Sequence, residues 1–265
     1  MGAIPVEDDA TTFEVRNRIA TVTLNRPARL NAIGQQAREE LIAHFARVND
    51  DEEIWAAVVT GAGTRAFSVG GDLKEMSDYG RERTSFPVPM GGTQRNLYES
   101  LLEVYKPTIA AVDGYAIAGG FELAMACDLR VAGRGSQFGM PEAQRGLGAN
   151  FASVVLPRLV PRGIALELLY TGRFASAEEA ERWGLVNSLV EDGAALDAAL
   201  ALAERLTANA PLSLRRYKHM ATKGWELPVS AALRLDAGPN PYVSADREEG
   251  VAAFNAGREP QWAGR

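Results

Sequence analysis

The chain has 265 residues, 46% of them apolar and 23% charged, with 26 glycines, two histidines and a single cysteine. That length buries enough surface to fold without a disulfide or a structural metal, and one cysteine excludes a disulfide scaffold. A net charge of −6 with no long basic run excludes the electrostatic footprint of a general nucleic-acid binder. Glycine exceeds its usual share of roughly 7%, so the backbone must turn sharply or approach something closely at several places.

The N-terminal segment MGAIPVEDDATTFEVRN is acidic early, has no apolar signal core, and reads as a short arm leading into a strand. Thr12 to Arg16 and Ile19 to Leu24 alternate apolar and polar residues about Asn17-Arg18, which predicts a hairpin. Ala37, Leu41, Ile42, Phe45 and Val48 follow helical spacing, and the acidic run Asp50 to Glu53 predicts a solvated turn before a strand over Ile54 to Thr60. There follow Gly61-Ala62-Gly63, an extended piece from Ala66 to Val69, Gly70-Gly71 and a helical turn from Asp72. Arg81 to Gly92, with its prolines, glycines and charges, predicts a mobile loop.

Thr108 to Val112 and Tyr115 to Ala118 predict strands that lead into Gly119-Gly120 and a helix over Phe121 to Ala126. FSVGGDLKEM therefore lies over AIAGGFELAM at an offset of 49 residues, with strand, glycine pair and helix in the same order. In a glycine-rich chain such a match also arises by chance. Beyond Phe138 helical patterns dominate: Ala152 to Leu159, Gly163 to Tyr170, Ala177 to Trp183, Ala194 to Ala208, Leu212 to Lys223 and Ser244 to Ala256. Early strands and late helices predict an α/β fold with a helical C-terminal third and no linker dividing it. The longest near-apolar stretch, Ile109 to Phe121, is broken by Asp113 and too short to span a bilayer, so no membrane partner is expected. Cys127, in LAMACDLRVA, reads as a reduced, buried small residue of a cytoplasmic protein.

Several chemistries are excluded by their missing parts. There is no G-x-S-x-G elbow and no S-x-x-K, and His44 and His219 lie on helical patterns without an acid and nucleophile beside them. The acidic pairs Asp8-Asp9, Glu178-Glu179 and Glu248-Glu249 read as solvated faces, and no metal site is expected. Gly61-Ala62-Gly63-Thr64-Arg65-Ala66 matches a dinucleotide fingerprint in spelling, but it opens an extended piece where that motif must open a helix. The two glycine pairs, in contrast, sit at strand-to-helix junctions, where N–H groups are unpaired and no side chain covers them. Facing each other, they form an oxyanion hole; singly, they are tight turns. Glu122 follows the second pair by one turn and Glu142 stands 20 residues on, after Pro141 at a predicted helix start. Each alone is accounted for by the helix dipole, and together they form a candidate acid/base pair.

These residues lie in LNRPARLNAI (24–33), AFSVGGDLKEM (66–76), KPTIAAVDGYAIAGGFELAMACDLRVA (106–132), FGMPEAQRGLG (138–148), YTGRFASAEEAERWGLVN (170–187) and DREEGVAAFNAGREPQW (246–262). In that order and spacing they resemble the enoyl-CoA hydratase/isomerase, or crotonase, superfamily over nearly the whole chain. The resemblance implies a spiral of repeated ββα units over residues 1–195 and a helical region, 196–265, that mediates trimerisation, giving a homotrimer or a hexamer of two trimers. By matching position it implies Gly71 and Gly119 as the N–H donors to a thioester oxygen and Glu122 and Glu142 as the catalytic carboxylates. In related hydratases these hold the water that adds to a trans-2-enoyl-CoA, and here Glu122 is assigned to the water and Glu142 to the α-proton. Both being present favours a hydratase without metal or redox cofactor, coenzyme A being part of the substrate.

The resemblance further implies acyl-CoA contacts from Arg26, Ala28, Arg29 and Leu30 and from Ala66, Gly70, Asp72, Leu73 and Lys74, with Tyr115 and Ile117 walling the thioester channel. The side chains of Arg26 and Arg29 are equally accounted for as surface charges. Met76, Tyr79 and the loop 81–92 would border the acyl tail. One departure stands out: Asn150 occupies a position where hydratases of this family often have glycine. Its backbone N–H could serve the water, or its amide orient it, and the change leaves room for a substrate outside ordinary β-oxidation. The alternatives are an enoyl-CoA isomerase, a hydratase/lyase on an aromatic or branched acyl-CoA, a catalytically silent acyl-CoA-binding oligomer, and nicotinamide binding through Gly61 to Ala66.

Overall fold

Asn17 and Arg18, with φ of 50° and 66°, close the two-residue turn between β1 (Thr11–Arg16) and β2 (Ile19–Leu24), where Arg16 pairs with Ile19. The computed structural model describes residues 9–75 and 95–265. α1 (Gln35–Asp50) buries Ala37, Leu41, Phe45 and Val48, the stripe its spacing predicts. From there the chain lays successive strands into two sheets. β3 (Ala56–Gly61), β5 (Thr108–Val112), β7 (Leu129–Gly133) and β10 (Ser188–Val190) extend the hairpin into a sheet of order β1-β2-β3-β5-β7-β10, parallel from β2 onward. β4 (Ala66–Ser68), β6 (Tyr115–Ile117), β8 (Gln137–Gly139) and β9 (Phe174–Ser176) form the second sheet, with β9 antiparallel.

A helical turn at 73–75 follows β4, and α3 (Gly119–Ala126) follows β6, with α2 (Leu97–Leu102) placed between them. The ββα repeat is therefore physical. Ala66 pairs with Tyr115 across β4 and β6, which is the 49-residue offset realised as a backbone contact. The match between FSVGGDLKEM and AIAGGFELAM is thus a structural repeat.

The six-stranded sheet is apolar on both faces, as parallel sheets covered by helices are. One face contributes Val22, Ala57, Val59, Ala110 and Val112 to the main core. The other presents Ile19, Val58, Ile109 and Val131 to α7 (Ala195–Thr207), whose Ala195, Ala199 and Ala203 form a smooth strip one helical turn apart. α7 belongs with the sheet, so the layered packing runs to Thr207, past the boundary at 195 read from the sequence.

Other differences have local causes. β7 to β10 lie among segments whose pattern reads as helix or loop. β7 is buried nearly throughout, and β8, β9 and β10 have three residues each, too few to show alternation. Glu142 lies in the first turn of a 3-10 helix (Pro141–Arg145), closed by Gly146 at φ 66°, where a longer helix was expected. α4 (Asn150–Leu159), α5 (Arg162–Thr171), α6 (Ala177–Arg182), α8 (Pro211–Gly224) and α10 (Ala245–Ala256) lie where their spacing predicts, and the short α9 (Val229–Ala232) had no such signal.

The dinucleotide-like stretch joins β3 to β4 and opens no helix. His44 bonds Thr11 at 3.0 Å and packs at a tilt against Phe13, while His219 stacks on Tyr105 at 3.7 Å. Burial pushes the free thiol of Cys127 up to about 12. Among the described residues no group of three His, Cys, Asp or Glu is placed to hold a metal, and no helix is long and apolar enough to cross a membrane.

Candidate active site

The two glycine junctions meet at a cavity of about 1090 Å³. Gly70 has φ +82°, and a Cβ there would lie 2.6 Å from the Gly119 nitrogen, so the junctions can touch only with glycine at 70. Ile33 bridges Gly71: the Ile33 N–H donates to the Gly70 carbonyl at 2.8 Å and the Asp72 N–H to the Ile33 carbonyl at 3.2 Å. That parallel pattern turns the N–H of Gly71 itself away from Ile33. On the other side Ala118 adopts φ 53° and ψ −130°, a conformation unusual for a residue with a Cβ, while its N–H donates to the Gly139 carbonyl at 2.8 Å. The backbone thereby steps from β6 into α3 and leaves the Gly119 N–H at the helix start. Neither Gly71 nor Gly119 donates to any acceptor among the described residues, and both line the cavity.

Glu122 lies one turn into α3, a helix with every residue buried. Its carboxylate accepts from the Ala152 N–H at 3.0 Å, in the first turn of α4, so the positive end of that helix faces it. Burial raises its pKa, and the Ala152 N–H, the Tyr98 hydroxyl, the charge of Arg38 and the Phe151 N–H pull it back. The far end of α3 is closed by Arg130, whose guanidinium donates to the carbonyls of Ala124, Cys127, Asp128 and Leu185.

Glu142 is less well supplied. Burial pushes its pKa up to about 7, its own backbone N–H opposes this, and the negative charge of Glu122 adds to the rise. Its Oε2 is buried with no hydrogen-bond partner among the described residues. Two carboxyls thus share one cavity in unlike surroundings, the arrangement that separates their protonation.

Ala28, Arg29 and Leu30 line the cavity, as do Asp72, Leu73, Lys74, Tyr115 and Ile117. Arg26, Ala66 and Gly70 lie behind that wall. Arg26 is buried, donating to the Ala32 carbonyl at 2.9 Å and to Asp72 at 3.2 Å, while Arg29 meets the other Asp72 oxygen at 2.8 Å. Asn150 reaches the wall at the first residue of α4, but the N–H bonded to Glu122 is that of Ala152. Met76, Tyr79 and the loop 81–92 lie outside the described residues.

The site also holds residues that motif reading passed over. The hydroxyl of Tyr98 is a neighbour of Glu122 and lies so near the Gly119 Cα that a Cβ there would collide with it; the ring packs on Phe151 at 5.3 Å. Its readable signal was the capping box of Asn96 and Glu99, which marks the start of α2. Nothing in the sequence ties residue 98 to residue 122.

Known proteins share this architecture. The family described as enoyl-CoA hydratase/isomerase matches residues 14–265. The (E)-benzylidenesuccinyl-CoA hydratase of Thauera aromatica is 37% identical over 262 residues, covering 96% of this chain and 98% of its own. The carnitinyl-CoA dehydratase of Citrobacter koseri is 38% identical over 263 residues, covering 96% and 98%. The solved structure of an enoyl-CoA hydratase from Mycobacterium tuberculosis matches with a TM-score of 0.85 at 38% identity, over 97% of this chain and 99% of that one. With matches along nearly its full length in sequence and in fold, the chain belongs to the enoyl-CoA hydratase/isomerase family of crotonase-fold enzymes.

Proposed function

We propose that the protein adds water across the trans-2 double bond of an enoyl-CoA thioester to give a 3-hydroxyacyl-CoA, using no metal or redox cofactor. The observation that carries this reading is the placement of two differently supplied carboxyls and two acceptor-free N–H groups around one cavity. Glu122, held by the Ala152 N–H and Tyr98, is the carboxylate that takes a proton from water as the oxygen bonds to the β-carbon. The π electrons move toward the thioester oxygen, where the N–H groups of Gly71 and Gly119 meet the growing negative charge, typically a contribution of about 3 kcal/mol per donor. Glu142, whose raised pKa favours its acid form, gives its proton to the α-carbon. Proton exchange with solvent then restores both groups.

CoA enters past the half-exposed Leu73 and Tyr115, with Arg29 and Lys74 on the same rim. The activities for which the two relatives are named, a hydratase and a dehydratase on CoA thioesters, support water addition and differ in the acyl group. We further read the enzyme as a cytoplasmic homotrimer or hexamer assembled through its C-terminal region, in which Val229, Leu233, Tyr242, Val243 and Phe254 are exposed apolar side chains.

The test is loss of the ultraviolet absorbance of crotonyl-CoA and longer enoyl-CoA thioesters on adding purified protein. Hydration is expected, and Glu122→Gln and Glu142→Gln should each lower kcat by roughly 100- to 10,000-fold. A protein that binds acyl-CoA but turns over no enoyl-CoA of any length, with the Gln variants unchanged, is a silent acyl-CoA-binding oligomer. Formation of a shifted double bond in place of the alcohol identifies an isomerase.

A further inference from the structure

The cavity has two ends. Tyr115 and Phe174 mark the mouth, both exposed by about two-fifths and in edge contact at 6.3 Å. Tyr98, Phe151 and the buried Glu122 mark the inner end, beyond the Gly119 N–H. In the reading above, CoA occupies the first and the acyl group reaches into the second.

The cationic residues of the wall differ in what they meet. Arg29 is paired with Asp72, Arg145 donates to the Pro141 carbonyl at 3.3 Å, and Arg65 is exposed beside the mouth, on the loop before β4. Arg38 is different. It sits on α1 directly after the buried Ala37, is half-buried and lines the cavity, yet its guanidinium has no hydrogen bond or ion pair with any described residue, while its backbone N–H donates to the Gly34 carbonyl. Its charge bears on Glu122 and on Tyr98, whereas the cation bearing on Glu142 is Arg145. Arg38 thus lines, from α1, the same cavity as Tyr98, Glu122 and Phe151, and its charge is felt at the residues of the inner end. There the Glu122 carboxylate already accepts from Ala152, and Asn96, also on the wall, carries a buried side-chain N–H₂ with no partner among the described residues.

A hydrocarbon acyl chain filling that end would strip water from the guanidinium and offer it no hydrogen-bond partner, leaving only the attraction of the Glu122 carboxylate, which is costly for a charged group. A carboxylate there would take up its parallel N–H donors in a charge-assisted pair. We propose that Arg38 is a specificity-determining residue that selects acyl-CoA thioesters carrying a second, anionic carboxylate on the acyl group. The inference rests on the reading of the cavity as an enoyl-CoA site, and its test is arranged so that the two can fail separately.

Enoyl-CoA substrates ending in a carboxylate are compared with methyl-ended partners of matched length, trans-2-hexenedioyl-CoA against trans-2-hexenoyl-CoA being one pair, in wild type, Arg38→Leu and Arg38→Lys. Circular dichroism checks that each variant is folded. For at least one pair wild type should favour the carboxylated member in kcat/KM by about tenfold or more, and Arg38→Leu should shift that ratio by about tenfold or more, chiefly through KM. Arg38→Lys, which keeps the charge without the fork, should fall between. Preference for the methyl-ended member in every pair overturns the proposal. So does an equal loss on both members in Arg38→Leu, which would mean that Arg38 acts through Glu122. The second arm needs no turnover: adipoyl-CoA and hexanoyl-CoA, with longer saturated pairs, are titrated by calorimetry. Tighter binding of the diacid thioesters, abolished in Arg38→Leu, supports the inference even if no enoyl-CoA is hydrated, and that result removes the hydratase reading alone. Equal affinity within every pair overturns the inference.

Discussion

Glu142 is a carboxyl whose chemistry and stability pull in opposite directions. Unfolded, it titrates near 4.5; folded, burial and the charge of Glu122 hold it near 7. Between these values the native state binds more protons than the unfolded state, so this group's contribution to stability falls as pH rises from about 4.5 to about 7 and stays low above that. Glu142→Gln removes the effect. With a discount for the part of the side chain that water screens, the gain should be about 1–2 kcal/mol at pH 8 and close to zero at pH 4.5. Thermal melts of the variant and wild type at the two pH values check this: Tm should rise by a few degrees at the higher pH only, while hydration collapses. A Tm difference independent of pH would show that Glu142 ionises without strain. Both glutamates were legible in the sequence because each follows a backbone landmark, a glycine pair for one and Pro141 for the other. Arg38 and Tyr98 were not, because their significance lies in facing Glu122 across 84 and 24 residues of chain, a relation that only the fold creates.

Helices with a long apolar stripe were readable at the scale of whole elements, and α1 and α7 lie where periodicity put them. Short strands were not, since membership of a parallel sheet is decided by distant partners: β10 pairs with β7 across 57 residues, Ser188 opposite Val131. The role of α7 likewise comes from what it touches. Its alanine strip lies against Ile109, Ala111 and Val131, where the helix contributes only methyl groups at its buried positions. Ala199→Leu should therefore overpack this layer and cost about 1–3 kcal/mol, seen as a lower denaturation midpoint in urea. Ala201→Leu, on the exposed face of the same helix, should stay within about 0.5 kcal/mol of wild type. Equal effects at both positions would mean that α7 is not held by close approach.

Taken as a whole, the molecule buries the centres of its sheets but leaves its C-terminal aromatic side chains exposed: Tyr242 at 80% and Phe254 at 86%. If these form the subunit contact, light scattering of the wild type should give a multiple of the 28.5 kDa chain, and Phe254→Asp with Tyr242→Asp should reduce it toward the monomer. An unchanged mass would place the contact elsewhere. The fold class followed from the order of patterns along the chain, whereas the division of strands between two sheets required the pairing itself. The arrangement of α3 has one more consequence. A helix carries roughly half a positive charge at its start and half a negative charge at its end. In α3 the anion of Glu122 lies in the first turn and the cation of Arg130 lies on the last carbonyls, so that the four contributions sum to nearly zero within a segment that has no exposed residue. The negative charge suited to drawing a proton from water is thus one half of an electrically neutral unit. Its balance moves with the helix, and neither dissolved salt nor the charges of the outer surface have much hold on it.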